Sequence, residues 1–280
     1  MKIRTDFVTN SSSSSFMVDL EMKFQKGETI LLSCADCTGD YESKYLYVRA
    51  TDSDGNDIVR NSVGCSEDDD FSYYDVSDII GDIEFGHLNL AEVLEEENIN
   101  QLIKTIENAF SINPPSEHKA QDEYEYDEED EELEILEDYD EETLERILEA
   151  KDTLRKIAED SHEFLIRNFT SKDDVKELSL SMEFGGRGEF LASRENILEK
   201  IFGWSDSSDV LDILEEKSDQ ETTLKELKEL PCMKHMSEES ILQIIRFWNE
   251  CDYAPGMCNI GQNLEDGKVR LSIEFDEDCW

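Results

Sequence analysis

The sequence predicts an α+β fold in which antiparallel sheet strands pack against several helices. Three observations carry that prediction. Residues 18–24, 178–184 and 269–275 each place apolar side chains at the first, third, fifth and seventh positions, with polar ones between. Such strict alternation marks a strand with one dry and one wet face, the habit of antiparallel sheets. A long apolar stripe at helical spacing runs through 141–168, and several shorter helical patterns follow it. Strand patterns at both ends of the chain then suggest one shared sheet.

The N-terminal part carries further strand patterns at 29–33, 44–51 and 57–63. Ser53-Asp54-Gly55-Asn56 between the last two has the composition of a hairpin turn. Leu94, Ile99, Leu102, Ile103 and Ile106 predict a helix over 90–110. In the C-terminal part, Leu144, Ile147, Leu148, Leu154, Ile157, Ala158 and Leu165 form the stripe of the long helix, with Asp140 as its expected N-cap. Short helices are expected at 194–202, 208–217, 221–230 and 237–250. The last opens on Ser237 and an acidic first turn, which suits the helix dipole. The likeness of the three alternating strands points equally to an internal duplication and to convergence of half-buried strands on one pattern.

Charge is the dominant compositional feature. Asp and Glu number 71 against 26 Lys and Arg in 280 residues, a formal net charge of -45. Residues 121–142 hold fifteen acidic side chains and no basic one, yet removing them leaves -30, so the folded parts are acidic too. Asn113-Pro114-Pro115 stops any helix, and a block of like charge then resists compaction. The expected organisation is a β-rich domain over 1–112, an exposed acidic linker or loop over 113–138 and an α+β domain over 139–280, with a single composite domain as the alternative. No apolar run approaches the ~20 residues needed to cross a bilayer. The N-terminus lacks the apolar segment of a secretory signal, and seven scattered Cys read as reduced thiols. The expected location is cytoplasmic. So anionic a surface disfavours direct contact with nucleic acid or membrane and favours basic protein surfaces.

Arg4 to Phe16 reads R-T-D-F-V-T-N-S-S-S-S-S-F. It resembles an opening shared by a set of otherwise divergent bacterial proteins without an assigned activity. The resemblance covers thirteen positions and implies no fold, substrate or catalytic residue. The hydroxyls of Ser11, Ser12, Ser13, Ser14 and Ser15 suit a modification target or the capping of a tight turn, against a disordered terminus as the plain alternative.

Motifs for chemistry are weak. Cys34-Ala35-Asp36-Cys37 is a lone C-x-x-C followed by Thr38-Gly39-Asp40, where a redox site would need a helix. Cys34, Cys37 and Cys65, with His87, are the candidates for zinc, but their spacing does not demand a metal, and ordinary thiols are the simpler reading. Asp52 to Asp57 departs from a calcium loop because Gly55 is the fourth residue, and Gly185-Gly186-Arg187-Gly188 lacks the Lys and hydroxyl of a phosphate loop. His162 falls on the long helix as a surface or boundary residue. No cofactor is implied. The expected function is therefore a non-enzymatic acidic protein that binds a basic protein surface. Its docking residues would be Glu128, Glu129, Asp130, Glu131, Glu132, Leu133, Ile135 and Leu136, an anionic run with apolar anchors. The alternatives are a nucleic-acid mimic inhibiting a DNA- or RNA-binding protein, and an enzyme whose site assembles only in the fold.

Overall fold

The computed structural model describes residues 14–38, 43–66, 85–112, 141–186, 193–216, 219–251, 257–265 and 267–275. Seven strands form one sheet: β1 (Ser14–Phe24), β2 (Thr29–Thr38), β3 (Ser43–Thr51), β4 (Asp57–Ser66), β5 (Val175–Gly186), β6 (Met257–Glu265) and β7 (Lys268–Phe275). Their order is β4-β3-β2-β1-β5-β6-β7, with every neighbour antiparallel. The chain starts at the centre, meanders outward to β4, passes through helices, and returns to the centre at β5 for a second meander. Strands from either side of the 113–138 segment thus share one sheet.

Alternation explains the placement of β1, β5 and β7. Phe16, Val18, Leu20, Met22 and Phe24 of β1 are buried, as are Leu178, Leu180, Met182 and Phe184 of β5. The register sets Phe16 opposite Phe184, Val18 opposite Met182 and Leu20 opposite Leu180. The two Phe rings lie 4.8 Å apart between centroids. Both strands open meanders that run outward from the sheet centre, four strands from β1 and three from β5.

Helices cover the buried face: α1 (Leu90–Glu95), α2 (Ile99–Ala109), α3 (Glu141–Asn168), α4 (Arg194–Glu216), α5 (Gln220–Leu227) and α6 (Glu238–Glu250). On the opposite face, Ser62, Tyr47, Ser33, Asp19, Ser181, Gly261 and Ser272 align in one row across all seven strands. It is the more polar face of a sheet whose other face the described helices cover. Ser33 donates to the Asp19 carboxylate at 2.5 Å, and burial raises that carboxyl above its ordinary pKa. The outer edge of β7 is closed locally. His235 O accepts from Val269 N, Val269 O accepts from Ser237 N, and Ser240 Oγ accepts from Leu271 N. Those bonds blunt an edge that would otherwise invite strand addition.

Two expectations are corrected. The strand expected at 29–33 continues through Cys34 and Cys37 to Thr38, because β1 and β3 pair with it along that length. The helix expected over 90–110 is two. Asn98 caps the second by accepting from Asn100 N, and the Glu96 carboxylate accepts from Asn98 N, so the backbone between them is held out of helix. The helices expected at 194–202 and 208–217 are two helices meeting at a kink at Gly203, the halves of α4. Strand β6 was not predicted. Ser53–Asn56 is a turn as expected, with Asp52 accepting from Asp54 N and Asn56 N, and Gly55 at φ 83°.

Candidate docking surface

The site grows from the bend in α4. Its first half is fastened to the core. Ile197, Leu198, Ile201 and Phe202 are buried, Lys200 Nζ donates to Phe85 O at 2.6 Å, and Arg194 stacks on Trp248 at 3.7 Å while donating to Trp248 O and Cys251 O. Gly203 then departs from helix, with φ 76° and ψ 166°. A side chain is excluded there twice over. A β-carbon would carry left-handed strain, and it would sit 2.8 Å from His87 Nε2.

Beyond the bend the helix resumes as an acidic ridge. Residues 201–216 contain Asp206, Asp209, Asp212, Glu215 and Glu216 and no Lys or Arg, between Lys200 and Lys217. At about 100° per residue, Asp209, Asp212 and Glu216 share one side of the helix, with Asp206 and Glu215 on its two flanks. Asp209, Asp212, Glu215 and Glu216 are exposed and Asp206 is half-buried. Trp204 stands at the head of this ridge, 79% exposed. Indole is a costly group to leave in water, and a lone, highly exposed Trp beside charge has the character of an interface anchor.

Behind the ridge lies a cluster brought together from three distant segments. Asn89, fully buried, caps α1 by accepting from Ala91 N and donates to Cys232 O. Gln262 of β6, also fully buried, accepts from Leu90 N at 3.0 Å and donates to Leu88 O at 3.1 Å. These bonds fix the loop that presents His87 and the helix that presents Glu92. Burial, aided by the charge of Asp206, raises the Glu92 carboxyl to about 7. Burial lowers His87 below its ordinary 6.5, with Asp206 acting against it. Burial beside Asp206 and Glu92 pushes the Cys232 thiol up to about 12, so it is no thiolate nucleophile at neutral pH. Chemically, the arrangement places one carboxyl that takes up and gives up a proton near neutrality within electrostatic reach of a second carboxyl, Asp206.

The residues expected from sequence fall elsewhere. Glu128 through Leu136 lie outside the described residues, as do Ser11, Ser12 and Ser13, while Ser14 and Ser15 begin β1. Cys34 is buried beneath the helices, and Cys37 and Cys65 lie in β2 and β4 with side chains outside the described set. Among the described residues, no group of three or more His, Cys, Asp or Glu is arranged to hold a metal. His162 bonds to the buried Glu107 at 2.7 Å and ties α2 to α3. Sequence reading missed Trp204. The signal available was Gly-Trp-Ser-Asp interrupting an apolar pattern. Nothing local marks Glu92 and Asp206, which meet across more than a hundred residues. No helix among the described residues is long and apolar enough to cross a membrane.

The fold and this surface define an acidic α+β protein with one seven-stranded antiparallel sheet backed by helices. No family model, no curated protein and no solved structure matches the chain.

Proposed function

We propose that this is an acidic interaction protein that docks a basic protein surface through the second half of α4, with Trp204 as the apolar anchor. The observation that carries the reading is a 79% exposed Trp at the head of a helix segment with five carboxylates and no cation. Charge along the ridge speeds and orients the encounter, and indole burial holds the complex. From Asp206 to Glu216 the helix rises about 15 Å, so the ridge offers one charge per ~3–4 Å. Duplex DNA carries one per ~1.7 Å, about twice that density, which favours a basic protein surface over mimicry of a duplex.

The test is retention of host proteins on the immobilised chain at low salt, followed by a salt gradient. Between ~0.01 and ~1 M salt the Debye length falls from ~30 to ~3 Å. The bound species is expected to elute sharply, and W204A and D209N/D212N/E215Q/E216Q are each expected to lose it. Retention that ignores salt, or that survives both variants, refutes the reading.

A further inference from the structure

The sheet has two outer strands, and they are finished differently. At β7, backbone bonds to His235, Ser237 and Ser240 close the edge. At β4 no such bond is present among the described residues. Which groups it leaves open follows from the ladder. Phe24 N donates to Glu28 O, which marks that pair as hydrogen-bonded. Bonded and unbonded pairs alternate along an antiparallel ladder, so each residue turns its backbone groups to one neighbouring strand only. Carried through the registers from β1 to β4, this bonds Asn61 to Val48 and Val63 to Leu46 of β3. Arg60, Ser62 and Gly64 then turn N–H and C=O away from the sheet, and among the described residues these groups have no other backbone partner. From Val59 to Gly64 the strand has no Pro and one charged side chain, Arg60, and its bulge lies at the Asp57 end. The devices that usually blunt an edge are thus confined to the start of β4.

We propose that the free edge of β4 is a strand-addition site for a cationic extended segment of a partner protein. In strand addition the main chain supplies affinity and alternate side chains supply specificity. Charge selects the occupant. Pairing β4 with β4 of a second copy would bring together two chains of -45 each. The immediate surroundings are anionic on balance as well. Asn61 Nδ2 donates to Asp160 at 2.9 Å, which sets α3 alongside the strand, and α3 carries eight acidic and five basic side chains. Arg60 lies 3.8 Å from Asp57, whose carboxylate also accepts from Arg49. In sequence, β4 runs directly into Glu67-Asp68-Asp69-Asp70. A lysine-bearing strand is therefore drawn to the edge, while self-pairing is repelled. Net charge does here against like copies what an edge Pro or Lys does in other sheets, so the edge can stay open without aggregation. The site is separate from the Trp204 ridge: α4 packs on α6, and α6 on β7, at the opposite margin of the sheet.

The probe is an alternating valine–lysine peptide of about eight residues, added to the full chain at low salt. Amide hydrogen exchange read residue by residue locates it. The amides of Arg60, Ser62 and Gly64 are expected to gain about tenfold or more in protection, while those of Asn61 and Val63, already bonded to β3, change little. Ser62→Pro removes an outward N–H at a place where an edge strand tolerates Pro. It is expected to weaken peptide binding about tenfold while Asn61 and Val63 stay protected. A fully N-methylated peptide, which keeps its charge but has no ladder donor, should show at least the same loss against the parent protein, and it decides the question if S62P unfolds. Equal binding of the methylated peptide, protection that appears elsewhere, or binding that W204A abolishes overturns the proposal, the last by placing the peptide on the α4 ridge. Sedimentation at ~1 M salt, where the Debye length is ~3 Å, tests the other occupant. A monomer is expected, and a dimer that S62P dissolves would give the edge to a second copy and overturn the choice of partner.

Discussion

Replacing Gln262 by Leu separates the platform beneath the site from the site itself. Gln262 faces the helices from β6 and is fully buried. Its carboxamide oxygen accepts from Leu90 N and its amide donates to Leu88 O. Leu fills a similar volume but offers neither bond, and among the described residues both backbone groups have no other bonded partner. Each orphaned buried group costs about 1–3 kcal/mol. Exchanging a polar for an apolar buried side chain returns roughly 1–2 kcal/mol. The expected net loss is about 2–3 kcal/mol, large against the 5–15 kcal/mol typical of a domain. Urea unfolding followed by far-UV circular dichroism measures it, with the midpoint shifting and the slope unchanged. Because the lost bonds hold Leu88 and Leu90, hydrogen exchange should accelerate first at 86–95. A loss below about 0.5 kcal/mol, or a gain, would show that water or a neighbour satisfies these groups and that Gln262 does not position α1.

Other perturbations test the remaining contacts. Glu92 binds a proton more tightly folded than unfolded, so its contribution to stability is present below pH 4.5 and is lost as pH rises through about 7. At about 1.4 kcal/mol per pH unit the upper bound is ~3 kcal/mol, and partial exposure reduces it to ~1–2 kcal/mol. E92Q is therefore expected to match the parent protein near pH 4.5 and to exceed it by ~1–2 kcal/mol at pH 8 in urea titrations. Gly203→Ala adds left-handed strain and a clash with His87, for an expected cost of about 1–3 kcal/mol; an additional His87→Ala should return the clash but not the strain. Thermal unfolding of the single and double variants reads both. His162→Ala leaves Glu107, 2% exposed, without its partner at 2.7 Å, and should cost about 1–3 kcal/mol; Glu107→Gln in the same chain should recover part of that loss.

The strands were legible where the two sheet faces differ in polarity. Alternation in β1, β5 and β7 survives in sequence because their outward residues meet water. Strand β6 hid because its inward row is Cys258, Ile260, Gln262 and Leu264, and a buried Gln with bonded partners reads as a polar break. The long helix α3 was visible from its stripe, and the break in α4 from the end of an apolar helical run at Phe202. A Gly after an apolar run signals a helix end, and only the packing of His87 against Gly203 shows why the helix resumes at once. The site was illegible for a different reason. Among 71 acidic residues no spacing distinguishes Glu92 or Asp206, since their meaning comes from a proximity set by Gln262 and Asn89.

Net charge alone would make a protein soluble without giving it a surface to dock with. The distinction lies in where the scarce cations go. Lys200 and Arg194 brace the first half of α4, while Lys23 pairs with Glu177, Arg49 with Asp57, Arg155 with Asp152, Lys228 with Glu238 and Arg246 with Glu250. Those positive side chains steady the fold or offset carboxylates nearby. The 201–216 stretch has none, although it could hold a Lys at any exposed position without harm to helix propensity. An exposed Trp at the head of a helix segment without Lys or Arg promotes association rather than solubility. Anionic ridge and indole together are informative where either alone is not. On the docking proposal, the carboxylates favour a basic partner, and Trp204 favours one that offers an apolar recess within reach of the bend at Gly203.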